Sequence, residues 1–139
     1  MILLDTNVIS EPLRQSPDAR VVAWIDSQAI ATLYLAAVTV AELRFGIASM
    51  PAGKRRDTLH HRFEKHVLAL FIGRVLPFDI TASLAYAKNM AAARAAGLAI
   101  GLADGYIAAT AAANGLMVAT RDVSPFKAAG LEVINPWEQ

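Results

Sequence analysis

The sequence contains no cysteine, which excludes a disulfide-stapled scaffold, a thiolate zinc site and a cysteine nucleophile. It carries no excess charge of either sign. Thirteen Lys and Arg face twelve Asp and Glu, so any nucleic-acid surface must be local rather than a property of the whole chain. Long hydrophobic runs are also missing: the longest apolar stretch, Ala29 to Ala41, is broken by Thr32 and Thr39 and is too short to span a bilayer. Asp5 interrupts the first apolar run at once, leaving no signal-peptide core, so a cytoplasmic location without membrane contact is expected. What is present is 139 residues that are 55% hydrophobic, with a mean hydropathy of +0.40. That is enough to bury a core as a single domain over residues 1–139. It is also apolar enough to expect a partner or a second copy on part of the surface.

Three runs of large or β-branched apolar residues, Ile2 to Leu4, Leu33 to Val38 and Met117 to Ala119, are separated by long stretches of helical periodicity. This alternation predicts βαβ units and a parallel sheet, an α/β fold. Shorter strands are expected at Arg74-Val75-Leu76, stopped by Pro77, and at Glu132-Val133-Ile134. Helices are expected at about Asn7 to Leu13, Asp18 to Ser27, Val40 to Ser49, Arg55 to Phe71, Thr81 to Ala96, Asp104 to Asn114 and Pro125 to Ala129. Gly97, Gly115 and Gly130 read as helix stops. In the alanine-rich stretch, Leu84, Tyr86, Met90, Leu98, Leu102, Tyr106 and Ile107 are the expected packing anchors.

Against this pattern, Asp5, Glu42, Asp104 and Asp122 each fall at the edge of an apolar element. Open α/β sheets place their chemistry at the carboxyl ends of the strands. Each acid also has a plainer reading. Asp5 and Asp104 could be helix N-caps. Thr39-Val40-Ala41-Glu42 fits a capping box. Asp122 has the weakest alternative, because Ser124-Pro125 already supplies a helix start. If the four converge, their like charges raise one another's pKa values, and a divalent cation resolves the conflict. Asp79 reads as an N-cap, and His60, His61 and His66 read as surface residues.

The strings Ile2-Leu3-Leu4-Asp5-Thr6-Asn7, Thr39-Val40-Ala41-Glu42-Leu43, Asp104-Gly105-Tyr106-Ile107-Ala108-Ala109-Thr110-Ala111 and Thr120-Arg121-Asp122, in this order, closely resemble the PIN-domain ribonucleases. Within them the chain looks most like the VapC-type toxins of bacterial toxin–antitoxin pairs. The resemblance implies a three-layer α/β/α sandwich around a central parallel sheet and a metal-dependent endoribonuclease, with Asp5, Glu42, Asp104 and Asp122 as the site. It further implies a homodimer and a small antitoxin, through which alone operator DNA would be bound. Antitoxin contacts are expected on the early helices around Val8 to Ile25 and on the helix after Thr39. Where some relatives carry a further acid, Val123-Ser124-Pro125 follow Asp122 here, which leaves the choice between one ion and two open.

The expected chemistry has Asp5, Asp104 and Asp122 binding Mg²⁺ or Mn²⁺ directly, with Glu42 as a ligand or as the base that orients water. Asn7 and Thr120 would hold carboxylates in place behind the ion, and Arg121 would contact substrate phosphate or pair with an acid. Lys54-Arg55-Arg56, Arg62 and Lys65 form a basic segment that would meet phosphates or remain a solvated face. Trp24, Phe45, Phe63, Phe71 and Phe78 are assigned to core or interface packing. Two other readings compete: a non-catalytic PIN-like binding module, and an aspartyl-phosphate phosphatase with Asp5 as nucleophile. The latter would want a second acid at position 7, which is Asn.

Overall fold

A computed structural model describes residues Met1–Gln139. The apolar runs form strands because each supplies side chains to both faces of a sheet. These are β1 (Ile2–Leu4), β2 (Leu33–Ala36), β3 (Val75–Leu76), β4 (Met117–Ala119) and β5 (Val133–Ile134). All pair in parallel in the order β3-β2-β1-β4-β5. The register sets Leu3 beside Tyr34 and Val118, and Leu4 beside Ala119. Connections run outward in both directions from β1, so the switch in winding falls between β1 and β4, where such sheets open a crevice.

Seven α-helices cover the sheet: α1 (Thr6–Ser10), α2 (Ala19–Ser27), α3 (Ala37–Ala48), α4 (Lys54–Arg62), α5 (Ile80–Ala95), α6 (Leu102–Ala113) and α7 (Val123–Ala128). Alternation along β1 divides the core in two. Leu4 joins Val8, Val21, Trp24, Leu33, Leu35, Leu43, Ile47, Phe63 and Phe71 on one face. Leu3 joins Ile107, Ala108, Ala111, Val118 and Phe126 on the other. The result is a three-layer α/β/α sandwich. The small face of α6 lets α5 approach closely, and a Cβ added at Gly105 would lie 3.0 Å from Met90 Sδ and 3.1 Å from a Tyr86 ring carbon.

Several expected boundaries shift. The strand expected over Leu33 to Val38 ends at Ala36, and α3 begins at Ala37. A short continuous apolar run carries no period that separates strand from helix. The N-cap of α3 is therefore Ala36, and Thr39 lies buried inside the first turn. The expected single helix Arg55 to Phe71 is α4 followed by a π-turn (Phe63–Val67) and a 3-10 turn (Leu68–Phe71). The first helix is likewise shortened, with Glu11–Leu13 forming a 3-10 turn that contains Pro12. Gly97, Gly115 and Gly130 end helices with φ of +74°, +65° and +81°, the left-handed conformation that suits glycine. Leu84, Leu98 and Leu102 are not anchors: they are 70%, 50% and 63% exposed. Phe45 is exposed as well, whereas Trp24, Phe63 and Phe71 are buried. No helix is long and apolar enough to cross a membrane.

Candidate active site

Asp5 follows β1 and is buried. Its backbone N–H donates to Ala119 O at 2.9 Å, extending the ladder with β4 by one bond. Its carboxylate is held on both oxygens. Oδ1 accepts the Thr6 backbone N–H at 2.8 Å, and Oδ2 accepts the Thr120 hydroxyl at 2.8 Å. Asp5 therefore occupies the N-cap position of α1 and also reaches across to the end of β4, so the two readings of this residue are not exclusive. The Thr6 and Asn7 side chains do not cap α1 and bond elsewhere, Thr6 to Glu42 and Asn7 to Thr120 and the Arg121 N–H.

Thr120 is fully buried and acts as a hub. Its oxygen accepts the Asp122 backbone N–H at 3.1 Å and the Asn7 side-chain amide at 3.4 Å. Asn7 Oδ1 in turn accepts the Arg121 backbone N–H at 3.3 Å. These bonds tie the turn after β4 to the start of α1 and bring Asp122 to the same sheet edge as Asp5. Asp122 stands at the N-cap position of α7 without bonding a helix N–H from its side chain. Only the Ser124 hydroxyl donates to its Oδ1, at 3.4 Å. The expected start of this helix at Ser124-Pro125 thus moves back to Val123.

Glu42 does not form the capping box. Its Oε1 accepts the Thr6 hydroxyl at 2.7 Å, and the Thr6 and Thr39 hydroxyls lie 3.2 Å apart. The role of Thr6 and Thr39 in placing Glu42 is not visible in the sequence, where Thr39 has the spacing of a capping box and Thr6 lies far from Glu42 along the chain. The usable signal was the presence of a threonine directly after a strand-ending acid. Asp104 lies in the first turn of α6 but is not its N-cap, which is Gly101.

The acids sense one another. The Asp5 carboxyl is pushed up to about 6, mainly by burial and further by Asp104 and Glu42, while the bonds from Thr120 and Thr6 pull it back. Asp104 is raised by burial first, then by Asp122 and Glu42. No protein cation relieves this charge: the ion pairs are Arg14–Glu11, Arg20–Asp18 and Arg44–Glu64. As their side chains are placed, no three acidic or histidine groups stand close enough together to hold one ion. The donor chemistry nonetheless fits a hard divalent cation, which takes carboxylate and water oxygens and would offset the repulsion that raises Asp5 and Asp104.

Arg121 does not pair with an acid. Its guanidinium lies over the Trp137 ring, 5.2 Å from the centroid. In the basic segment, Arg62 donates to Pro12 O at 2.9 Å, and Arg55 lines a cavity of about 240 Å³ together with Glu42, Leu13, Leu43, Ile47 and Leu59. His61 and His66 pack edge to face at 5.5 Å, away from the four acids. Asp79 caps α5 through the Ala82 N–H at 2.9 Å, as expected.

Comparison with known proteins adds three likenesses and one family match. The family model described as PIN domain matches residues 2–131. "VapC ribonuclease Y4jK" of Sinorhizobium fredii is 65% identical over 99% of both chains. "Toxin FitB" of Neisseria gonorrhoeae is 55% identical, again over 99% of both. The solved structure of FitAB bound to the IR36 DNA fragment contains a chain that is 53% identical with a TM-score of 0.96, over 99% of this chain and 96% of that one.

Proposed function

The chain belongs to the PIN-domain family, and from that premise we propose that it is a metal-dependent endoribonuclease, the toxin of a toxin–antitoxin pair. One observation carries the reading: four carboxylates from β1, α3, α6 and the turn after β4 are electrostatically coupled at one sheet edge with no protein cation among them. A protein that uses this edge only for packing has no reason to keep such charge uncompensated.

Asp5, Asp104 and Asp122 would hold Mg²⁺ or Mn²⁺, with Glu42 as a further ligand or as the base. Asp104 accepts no hydrogen bond, so its carboxylate is free to turn toward an ion. When bound, such an ion supplies Lewis-acid stabilisation of a phosphodiester and lowers the pKa of an attacking water. Thr6 N–H and the Thr120 hydroxyl each take one lone pair of an Asp5 oxygen and so fix the plane of its carboxylate, while the Thr6 hydroxyl fixes one oxygen of Glu42 and leaves the other to face substrate. Asn7 holds the Arg121 backbone and keeps the turn after β4 in register with α1.

The relative named a ribonuclease, the relative named a toxin and the FitAB–DNA structure support an antitoxin partner, with operator DNA reached through that partner. The cavity between α1, α3 and α4, lined by Leu13, Leu43, Ile47, Met50 and Leu59 beside Glu42, suits an apolar antitoxin segment that ends next to the acids. A second copy of the chain would cover the exposed Ile80, Leu84 and Leu102. We assign the protein to the cytoplasm and residues 1–139 to one PIN domain. The phosphatase alternative finds no support, since position 7, where it wants a second acid, is Asn, and that side chain bonds Thr120 and the Arg121 N–H.

The deciding experiment incubates antitoxin-free protein with total RNA, with Mn²⁺ and then with EDTA. Internal fragments formed only with metal, and lost in Asp104→Asn, support the proposal. Equal cleavage in EDTA, or none with metal, sinks it.

A further inference from the structure

Arg121 sits between two residues of the candidate centre. Thr120 bonds Asp5, and Asp122 is one of the four acids. Arg121 is exposed and makes no ion pair, so its charge is not spent on a protein carboxylate. It is restrained at two other points. The backbone N–H is accepted by Asn7 Oδ1 at 3.3 Å, and the guanidinium lies over Trp137 with 5.2 Å to the ring centroid. A cation held over an aromatic ring by its quadrupole need not use its N–H donors, and the Arg121 guanidinium donates no hydrogen bond within the protein.

Trp137 is built to hold that position. It is buried, at 6% exposure, on the 3-10 turn Pro136–Glu138, and its backbone N–H is accepted by Asn135 Oδ1 at 2.9 Å. The turn follows β5 and packs on α2, and β5 is fixed to the same edge by the bond from Thr120 N–H to Ile134 O at 3.0 Å. The Arg121–Trp137 pair is therefore anchored to the strand ends beside Asp5 and Thr120.

We propose that Arg121 is a phosphate clamp for single-stranded RNA at the edge of the acid centre, and that Trp137 is its positioning residue. The proposal rests on the ribonuclease reading above and names one contact by which that substrate is held. The planar fork of Arg121 matches two non-bridging oxygens of one phosphodiester, and its charge offsets the repulsion that four carboxylates impose on an approaching polyanion.

The test measures binding of a fluorescein-labelled single-stranded RNA to the full chain by anisotropy in EDTA, where no turnover occurs, over a series of salt concentrations. Arg121→Gln is expected to weaken binding about tenfold and to lower the slope of log K against log salt by about 0.7, one phosphate contact on a single strand. Arg121→Lys should restore the slope but not the full affinity. Trp137→Phe should keep both, while Trp137→Leu should behave like Arg121→Gln. A purely structural role would lower melting temperature and leave the salt slope unchanged. Wild-type affinity and slope in folded Arg121→Gln overturn the clamp, even if Trp137→Leu does not fold. If the wild-type protein cleaves RNA with Mn²⁺ while Arg121→Gln binds as it does, only the clamp fails. If the wild-type protein neither binds nor cleaves, the ribonuclease reading fails with it.

Discussion

The Thr120 hydroxyl donates to Asp5 Oδ2 at 2.8 Å, joining residues 115 positions apart in the sequence. A buried carboxylate with this partner keeps its orientation without help from solvent, and the bond opposes the rise that burial imposes on Asp5. Replacing Thr120 by Val removes the donor while keeping the shape, and it strands the Asp122 N–H that the same oxygen accepts. We expect Thr120→Val to cost about 1–3 kcal/mol in chemical denaturation and to weaken Mn²⁺ affinity about tenfold or more by titration calorimetry. Thr120→Ser should recover most of both.

Stability of the metal-free protein should fall as pH rises. Asp5 is raised to about 6 in the folded chain from an ordinary value of 3.8, so the folded state binds the proton more tightly than the unfolded state between those values. The slope of unfolding free energy with pH is then negative. The stabilisation is fully present below pH 3.8 and is lost as pH climbs through 6, a change of about 3 kcal/mol from this group. Asp104 is shifted in the same direction. Melting curves at pH 5 and pH 7 should differ in EDTA, and Asp5→Asn should shrink the difference. A wild-type protein equally stable at both values would contradict the assignment.

Glu42 is exposed and depends on Thr6 for its position through the 2.7 Å bond. Thr6→Val should cost about 1 kcal/mol of stability, because it also removes the partner of the buried Thr39 hydroxyl, yet leave the chain folded at assay temperature. The rate of RNA cleavage should drop about tenfold or more. Glu42→Gln should lower the rate further, and the double variant should be no worse than Glu42→Gln alone.

Gly105 lets α6 lie against α5. A methyl group there meets Met90 Sδ at 3.0 Å and the Tyr86 ring at 3.1 Å, and Tyr86 is itself stacked on Tyr106 with centroids 5.0 Å apart. Gly105→Ala should therefore destabilise by about 1–3 kcal/mol through overpacking, despite alanine's better helix propensity. The combination with Met90→Ala should recover part of the loss. A more stable Gly105→Ala, judged by denaturant midpoint, would mean that the two helices separate freely.

Much of the architecture was legible because apolar runs of three or four residues alternate with helical periodicity, and Asp5 and Asp122 stand at the breaks. The parallel sheet and the sites of Gly97, Gly115 and Gly130 follow from local chemistry. Other features depend on contacts that no local pattern encodes. Thr39 and Glu42 have the spacing of a capping box, but packing starts α3 three residues earlier than that box requires. Thr6 stands 36 positions from Glu42, and only tertiary folding brings the two together. Leu84, Leu98 and Leu102 resemble core residues by type, while their exposure depends on how α5 and α6 rotate about their axes. The placement of Arg121 on Trp137 belongs to the same class, since nothing near either residue in sequence announces the other.

The position of β1 between β2 and β4 has a consequence for how the protein comes into being. On the ribosome, Asp5 emerges early, whereas Thr120, which orients it, follows only after 115 further residues, about ten seconds at ordinary elongation rates. A nascent chain halted before β4 carries the first acid but neither its hydroxyl partner nor Asp122. Whatever harm the finished protein can do to RNA is thus withheld from the translating machinery until nearly all of these residues have been polymerised.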